Sequence, residues 1–306
     1  MHTSILPHGF HFFERGWLSS NSLLIHGKSS SAIFDTGYLT HSPQLLDLVR
    51  HTLSSQPLDL IVNSHLHSDH CGGNALLQQA YPSVEIKIPA QQFQSVQDWD
   101  ESALTYSSTG QQCQSFKPTH GLVDGDILEI AGTHWKAIAG PGHDNDEFIF
   151  HEPNLNILIS ADALWEHGLG VVFPEFLGGI GFQNVAWTLD LIEELNPRLV
   201  LPGHGSAFKD VTHSISQARR RLDLFAGRPD LHATYASKVL LKFKLLEVQA
   251  IEIQELQNWA LNKPLMNLIH KRFFDGTEIK IWIESLIHEL VARKSAMIQN
   301  GLLCNS

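Results

Sequence analysis

Asn63-Ser64-His65-Leu66-His67-Ser68-Asp69-His70-Cys71-Gly72-Gly73-Asn74 follows directly on the apolar run Leu58-Asp59-Leu60-Ile61-Val62. The run reads as a short buried strand. His65 and His67 then leave an extended segment on one side, because side chains alternate with period 2, and both imidazoles can reach one ion. Asp69 and His70 come as the chain turns into Gly72-Gly73, which aims them at a second position. Neutral imidazoles with one carboxylate suit zinc, iron or manganese better than magnesium or calcium. A helical His-Glu-x-x-His motif is absent. Surface-loop histidines would account for scattered members of the 19 in this chain, but not for this run at the end of an apolar strand.

The spacing resembles the metallo-β-lactamase superfamily. Later positions match the family's remaining ligands in order: His143 in Gly140-Pro141-Gly142-His143, Asp162 in Ile159-Ser160-Ala161-Asp162, and His204 in Leu201-Pro202-Gly203-His204-Gly205. The resemblance runs from about residue 20 to residue 212 and implies an α/β fold, the αββα sandwich. It further implies that His65, His67 and His143 hold one metal and Asp69, His70 and His204 a second, with Asp162 bridging. The implied cofactors are two divalent transition-metal ions, zinc first, with iron or manganese as alternatives. Such a pair, ~3.5 to 4 Å apart, lowers the pKa of a shared water toward neutrality. The implied reaction is attack of that hydroxide on an ester, thioester or lactone carbonyl. Asp69 and Asp162 are the expected catalytic residues, Asp69 as ligand and proton carrier.

Details within the family narrow the field. Family β-lactamases carry cysteine or serine where Asp162 stands, which counts against penicillin hydrolysis. The chain is similar to glyoxalase II in its ligands and C-terminal extension, yet Asp144 replaces the usual threonine. The acidic run Asp144-Asn145-Asp146-Glu147 counts against glutathione thioesters. Lactonase-type hydrolases share the His-rich run but generally lack so long an extension. The runner-up is a mononuclear iron persulfide dioxygenase on the same fold. Asp35, in Asp35-Thr36-Gly37, matches a family position that orients a metal-binding histidine; an ordinary turn aspartate is the competing reading.

Hydrophobic residues at 43% and charged residues at 17% describe a globular chain, and its 306 residues allow one large core plus a smaller unit. No apolar run reaches the ~20 residues of a membrane helix. Met1 to Phe13 lacks the pattern of a signal peptide, so a cytoplasmic address is expected. Cys71, Cys113 and Cys304 suggest no disulfide framework, and Cys71 reads as a buried thiol. The net charge of −11 divides into −15 over residues 1–212 and +4 over residues 213–306. A nuclease function is therefore opposed, and the expected partner is a small-molecule substrate, with neither nucleic acid nor membrane.

Strands alternate with helices up to residue 212. A helix is expected from Ser42-Pro43, another over Asn74–Tyr81, and another over Asn184–Leu195. Leu122–Ile138 and Glu147–Ser160 read as hairpins. Residues 90–118 are polar and read as a solvated insertion, the alternative being an aromatic-bearing loop over the site. Leu164–Phe182 is expected to supply an apolar wall. Residues 1–212 form the expected catalytic domain and residues 213–306 a helical, winged-helix-like domain, with a last helix over Ile279–Asn300. This second unit is expected to complete the substrate pocket. Lys238 and Lys242, one helical turn apart, either hold a substrate anion or form a solvated basic face.

Overall fold

Six strands, β1 (Phe10–Phe13), β2 (Ser22–His26), β3 (Ser31–Phe34), β4 (Leu60–Val62), β5 (Glu85–Pro89) and β6 (His120–Leu122), form one mixed sheet in that order. The computed structural model describes residues 6–306, so Met1–Ile5 of the N-terminal segment lie outside the described residues. From β3 onward the strands run parallel, and parallel neighbours need crossovers. Helix α1 (Ser42–Leu53) connects β3 to β4; α2 (Ser68–Cys71) and α3 (Asn74–Ala80) connect β4 to β5. Between β5 and β6 lie α4 (Phe93–Asp98) and α5 (Tyr106–Thr109).

The second sheet contains β7 (Ile127–Ile130), β8 (Thr133–Ala139), β9 (Phe148–Glu152), β10 (Ile157–Ala161) and β11 (Leu199–Pro202), ordered β11-β10-β9-β8-β7. Helix α6 (Gly181–Leu195) crosses from β10 to the parallel β11, and α7 (Val211–Gly227) follows. Alternation along the strands explains the layering. Leu23, Ile25 and Phe34 face Trp135, Phe150 and Ile159 between the sheets. Leu24 and Ile33 face outward to Leu45, Val49 and Leu77. On the far side Ile149, Leu158 and Val200 meet Val185, Leu189, Ile192 and Ile215. Central strands buried on both faces read as continuous apolar runs, and the layers are those of the expected αββα sandwich.

The rest of the chain forms α8 (Pro229–Val248), β12 (Ala250–Glu252), α9 (Ile253–Leu261), α10 (Pro264–Phe273), α11 (Ile279–Ala292), β13 (Ala296–Gln299) and β14 (Leu302–Asn305). Its three strands pair in the order β12-β14-β13. The last helix therefore stops at Ala292, eight residues short of the expected Asn300. Asn300 and Gly301 both have positive φ, 52° and 79°, the conformation of a tight hairpin turn, so Asn-Gly links two strands here rather than capping a helix. The expected division at residue 212 meets the start of α7, whose Ile215, Ala218, Leu222 and Phe225 share a cluster with α6. The packing partner changes at Arg228, and the next cluster takes up α8 from Ala233.

Residues 90–118 are not a solvated insertion. Val96, Leu104, Tyr106 and Phe116 are buried with Leu66 and Ile88. Val96 lies on the short helix α4 and Tyr106 on α5, with Leu104 and Phe116 in the loops around them, so no single period runs through the segment. No helix among the described residues is long and apolar enough to cross a membrane.

Candidate metal centre

Strand β9 pairs antiparallel with both β8 and β10, and β11 is parallel to β10. The C-terminal ends of β8, β10 and β11 must therefore lie on one edge, and His143, Asp162 and His204 each follow one of these ends. Sheet one meets the same edge: Phe148 N–H donates to the Ser64 carbonyl at 2.8 Å, just beyond the end of β4. His65 and His67 flank Leu66, which turns into the core, as alternation requires. Asp69 and His70 sit on the single turn α2 rather than in a loop. Gly203 is obligatory, because a Cβ there would collide with Asp162 Oδ1.

The structure brings all seven side chains together. His67 Nδ1 lies 3.0 Å from His65 Nε2 and 2.8 Å from His143 Nε2. Asp69 Oδ2 lies 3.2 Å from His204 Nε2. Asp162 sits between the two sets, with Oδ2 3.3 Å from His143 Nε2 and Oδ1 3.4 Å from His70 Nε2 and 3.8 Å from His204 Nε2. Three donor groups have their ligating atoms within 4.8 Å of one another: His65, His67 and His143; His65, His70 and Asp162; Asp69, His70 and His204.

Hydrogen bonds on the outer side fix which nitrogen faces inward. His143 Nδ1–H donates to the Val171 carbonyl at 2.6 Å, which leaves Nε2 with its lone pair toward the centre. His70 Nδ1–H donates to Asp35 Oδ2 at 2.8 Å. Asp35 is itself held by Ser64 N–H and Ser64 Oγ–H, each at 2.8 Å. It thus orients the imidazole, as the resemblance implied, from a left-handed backbone position (φ 54°) that aspartate tolerates better than most residues.

Burial pushes His65 well below the ordinary histidine pKa and brings His67 and His143 down to about 4. Burial works against charge on His70 as well, but Asp162 and Asp35 outweigh it and hold that imidazole well above its ordinary value. Asp162 is likewise buried, and His204, His70 and His143 hold its carboxyl well below the usual range. Three imidazole nitrogens turned on one another cannot all be satisfied by protons. His70 Nε2 is buried without a hydrogen-bond partner among the described residues. Both observations fit divalent transition-metal ions, which accept the lone pairs of inward-facing imidazole nitrogens.

A cleft of about 290 Å³ opens over this edge, lined by both units. Residues 90–118 contribute Gln92, Ala103, Thr105, Ser108, Thr109 and Gln111, so this insertion does face the site, but mainly with polar groups; Tyr106 is buried behind it, with its hydroxyl donating to the Leu66 carbonyl. The segment after Asp162 supplies Trp165, Val171, Phe173 and Pro174, the expected apolar wall. Lys238 and Lys242 do not reach the cleft. Lys238 Nζ is 2.7 Å from Glu289 Oε2, and Lys242 donates to the Ser295 carbonyl and Asn305 Oδ1.

Several contributors were missed. Trp17 stacks on His204 at 5.4 Å while remaining 59% exposed. Buried Glu147 accepts Asp162 N–H at 2.7 Å, and burial with the Asp162 charge pushes its carboxyl well up. His232 on α8 accepts Val172 N–H at 3.0 Å, next to the carbonyl that holds His143. Glu147 falls in the acidic run noted above, which was one usable signal; a single tryptophan in a loop and a single histidine in a helix offered none.

The family model for the metallo-beta-lactamase superfamily matches residues 15–204. Acyl-coenzyme A thioesterase MBLAC2 of Bos taurus is 27% identical over 220 residues, covering 64% of this chain and 76% of that protein. Atrochrysone carboxyl ACP thioesterase of Aspergillus terreus is 26% identical over 201 residues, covering 64% of this chain; the chain spans only 52% of that protein's length. These relatives support a hydrolytic enzyme. Among solved structures, the metallo-beta-lactamase family protein TTHA1429 of Thermus thermophilus aligns over 99% of this chain and 100% of its own, with TM-score 0.56 and 18% identity. TTHA1623, solved in a di-iron-bound form, aligns over 68% of this chain and 98% of its own, with TM-score 0.54 and 21% identity. At these identities the likeness speaks for the fold alone.

Proposed function

Because this chain belongs to the metallo-beta-lactamase superfamily, we propose that it is a binuclear metal-dependent hydrolase acting on an ester, thioester or lactone carbonyl. The observation that carries the reading is the convergence of seven donors in overlapping groups, with Asp162 oxygens within 4 Å of His70, His143 and His204. His65, His67 and His143 would hold one divalent ion and Asp69, His70 and His204 the other, with Asp162 between them. When bound, the pair supplies an acidified water and a Lewis acid for the carbonyl oxygen. Zinc, iron and manganese all suit this donor set.

The chain's own residues do the rest. Asp162 is fixed from behind by Glu147 on its N–H and from the side by Trp165 Nε1–H, 3.3 Å from Oδ1. Asp69 lines the cleft, with one carboxylate oxygen beside His204. We assign it the transfer of a proton from the attacking water to the departing oxygen or sulfur. The relatives' thioesterase names favour the thioester among the three carbonyl classes. We assign the C-terminal unit to the substrate pocket, because Tyr235, Val239, Phe243 and Leu265 face the cleft.

Elemental analysis of purified protein, with assays on matched esters, thioesters and lactones, tests this. About two transition-metal ions per chain and hydrolysis of at least one class are expected. One iron per chain with oxygen consumption would instead establish the persulfide dioxygenase chemistry. A stoichiometry of one that persists after zinc or manganese is supplied would rule out the paired centre.

A further inference from the structure

The cleft has a direction. Phe173 lies edge-on to His67 and His143, with ring centroids 5.2 and 5.4 Å away, so the apolar wall begins beside the donors. It continues along Tyr235, Val239 and Phe243, which recur every fourth residue and form one stripe of α8, to Leu265 on α10. Phe243 is braced by the buried Tyr38 ring, edge-to-face at 5.0 Å. The same cleft is lined by Thr105, Ser108, Thr109 and Gln111, polar but uncharged.

The charges of the lining are all of one sign. Asp69 and Asp162 belong to the donor set; Asp144 and Asp146 add two more carboxylates at the cleft, and no Lys or Arg is among its described lining residues. The ions proposed for the donor set offset Asp69 and Asp162, but a phosphate or carboxylate on the leaving group would still meet Asp144 and Asp146 and find no Lys or Arg among the described lining residues. At about 290 Å³ the cleft also lies at the small end of ligand pockets.

We propose that the Tyr235–Val239–Phe243–Leu265 wall is an acyl-chain site, and that the substrates are carboxylic thioesters or esters of one unbranched apolar acyl chain with an uncharged leaving group. The inference rests on the hydrolase reading above and refines it. Water adds to the acyl carbon, the acyl C–S or C–O bond breaks, and the products are a fatty carboxylic acid and a neutral thiol or alcohol. The leaving group differs from what the MBLAC2 name specifies, since coenzyme A carries phosphates.

The experiment is a chain-length series of acyl-N-acetylcysteamine thioesters, measured beside the coenzyme A thioester of each acyl group. A parallel calorimetric series uses the non-hydrolysable thioether analogues. Each buried methylene should raise kcat/KM and tighten Kd by about fourfold until the wall is filled. The neutral thioester should exceed its coenzyme A counterpart by about tenfold at low salt. Phe243→Ala and Leu265→Ala should each cut the gain per methylene to below about twofold. A flat series in both measurements, or a preference for coenzyme A, overturns the proposal. If the analogues show the chain-length gain but neither the thioesters nor the matched esters and lactones are hydrolysed, the acyl site stands and the hydrolase reading falls.

Discussion

The two faces of the cleft are held together in different ways. On the donor face, side chains from the ends of β4, β8, β10 and β11 and from one helical turn are oriented by hydrogen bonds of 2.6 to 2.8 Å, such as His143 to Val171 and His70 to Asp35. On the facing wall, Val239 and Leu265 are held by packing within an apolar cluster and Phe243 by the Tyr38 ring. A directed hydrogen bond is either made or lost, whereas a packed wall yields by degrees. Substitutions on the donor face should therefore act steeply and those on the wall gradually.

The steepest effect is expected at Asp162, which approaches His70, His143 and His204 at once. Asp162→Ala should lower hydrolysis by on the order of 10³-fold or more, as when a group of residues acting as a unit loses a member, and metal content should fall with it. Elemental analysis and kinetics on one preparation check both. Asp35→Asn should be milder, because Asp35 touches the imidazole of His70 and not the centre itself. Asparagine tolerates the positive φ there, so the expected loss is about 10- to 100-fold with most metal retained. Equal and complete loss in both variants would erase the distinction between ligand and orienting group.

The same contrast explains what could be read from the residues alone. The donor face was legible because a strand end imposes a local pattern: His65 and His67 alternate around Leu66, and His143, Asp162 and His204 each follow an apolar strand. Asp35 showed itself in the same way. The wall was illegible in detail, because Phe243 meets Tyr38 across some 200 residues of chain and no local period encodes that meeting. Residues 90–118 failed for this reason, their buried groups being set by the loop's path over Leu66. The Asn300-Gly301 pair was readable as a turn, but a strong helical pattern upstream carried the expected helix up to it and made it a helix stop.

His232 lies where the contrast breaks down. It belongs to a wall helix, yet its Nε2 accepts Val172 N–H beside the carbonyl that holds His143. Burial lowers its pKa to about 3 from an ordinary 6.5. The folded state thus keeps it neutral while the unfolded chain protonates below about 6.5. This contribution to stability is complete above pH 6.5 and is lost as pH falls toward 3, by about 1.4 kcal/mol per unit. His232→Gln keeps an acceptor but does not titrate. Comparing urea midpoints at pH 7 and 5.5 should show the wild-type losing about that much more than the variant. Identical losses would remove His232 from the link between the two faces.

The smallest effect is expected at Lys238, and it probes the sign of charge on the wall. One position before Val239, its side chain leaves α8 about 100° around from the stripe that lines the cleft, and Nζ ends 2.7 Å from Glu289 Oε2. Glu289 is half exposed, so this pair should contribute no more than about 1 kcal/mol. Lys238→Met should therefore shift the denaturation midpoint slightly and leave kcat/KM within about twofold for neutral and anionic substrates alike. A lysine that held a substrate anion would behave otherwise: the variant would lose roughly tenfold or more on anionic substrates and nothing on neutral ones. Such a selective loss would put a positive charge on a wall whose described lining has none, and the leaving group would have to be reconsidered as an anion.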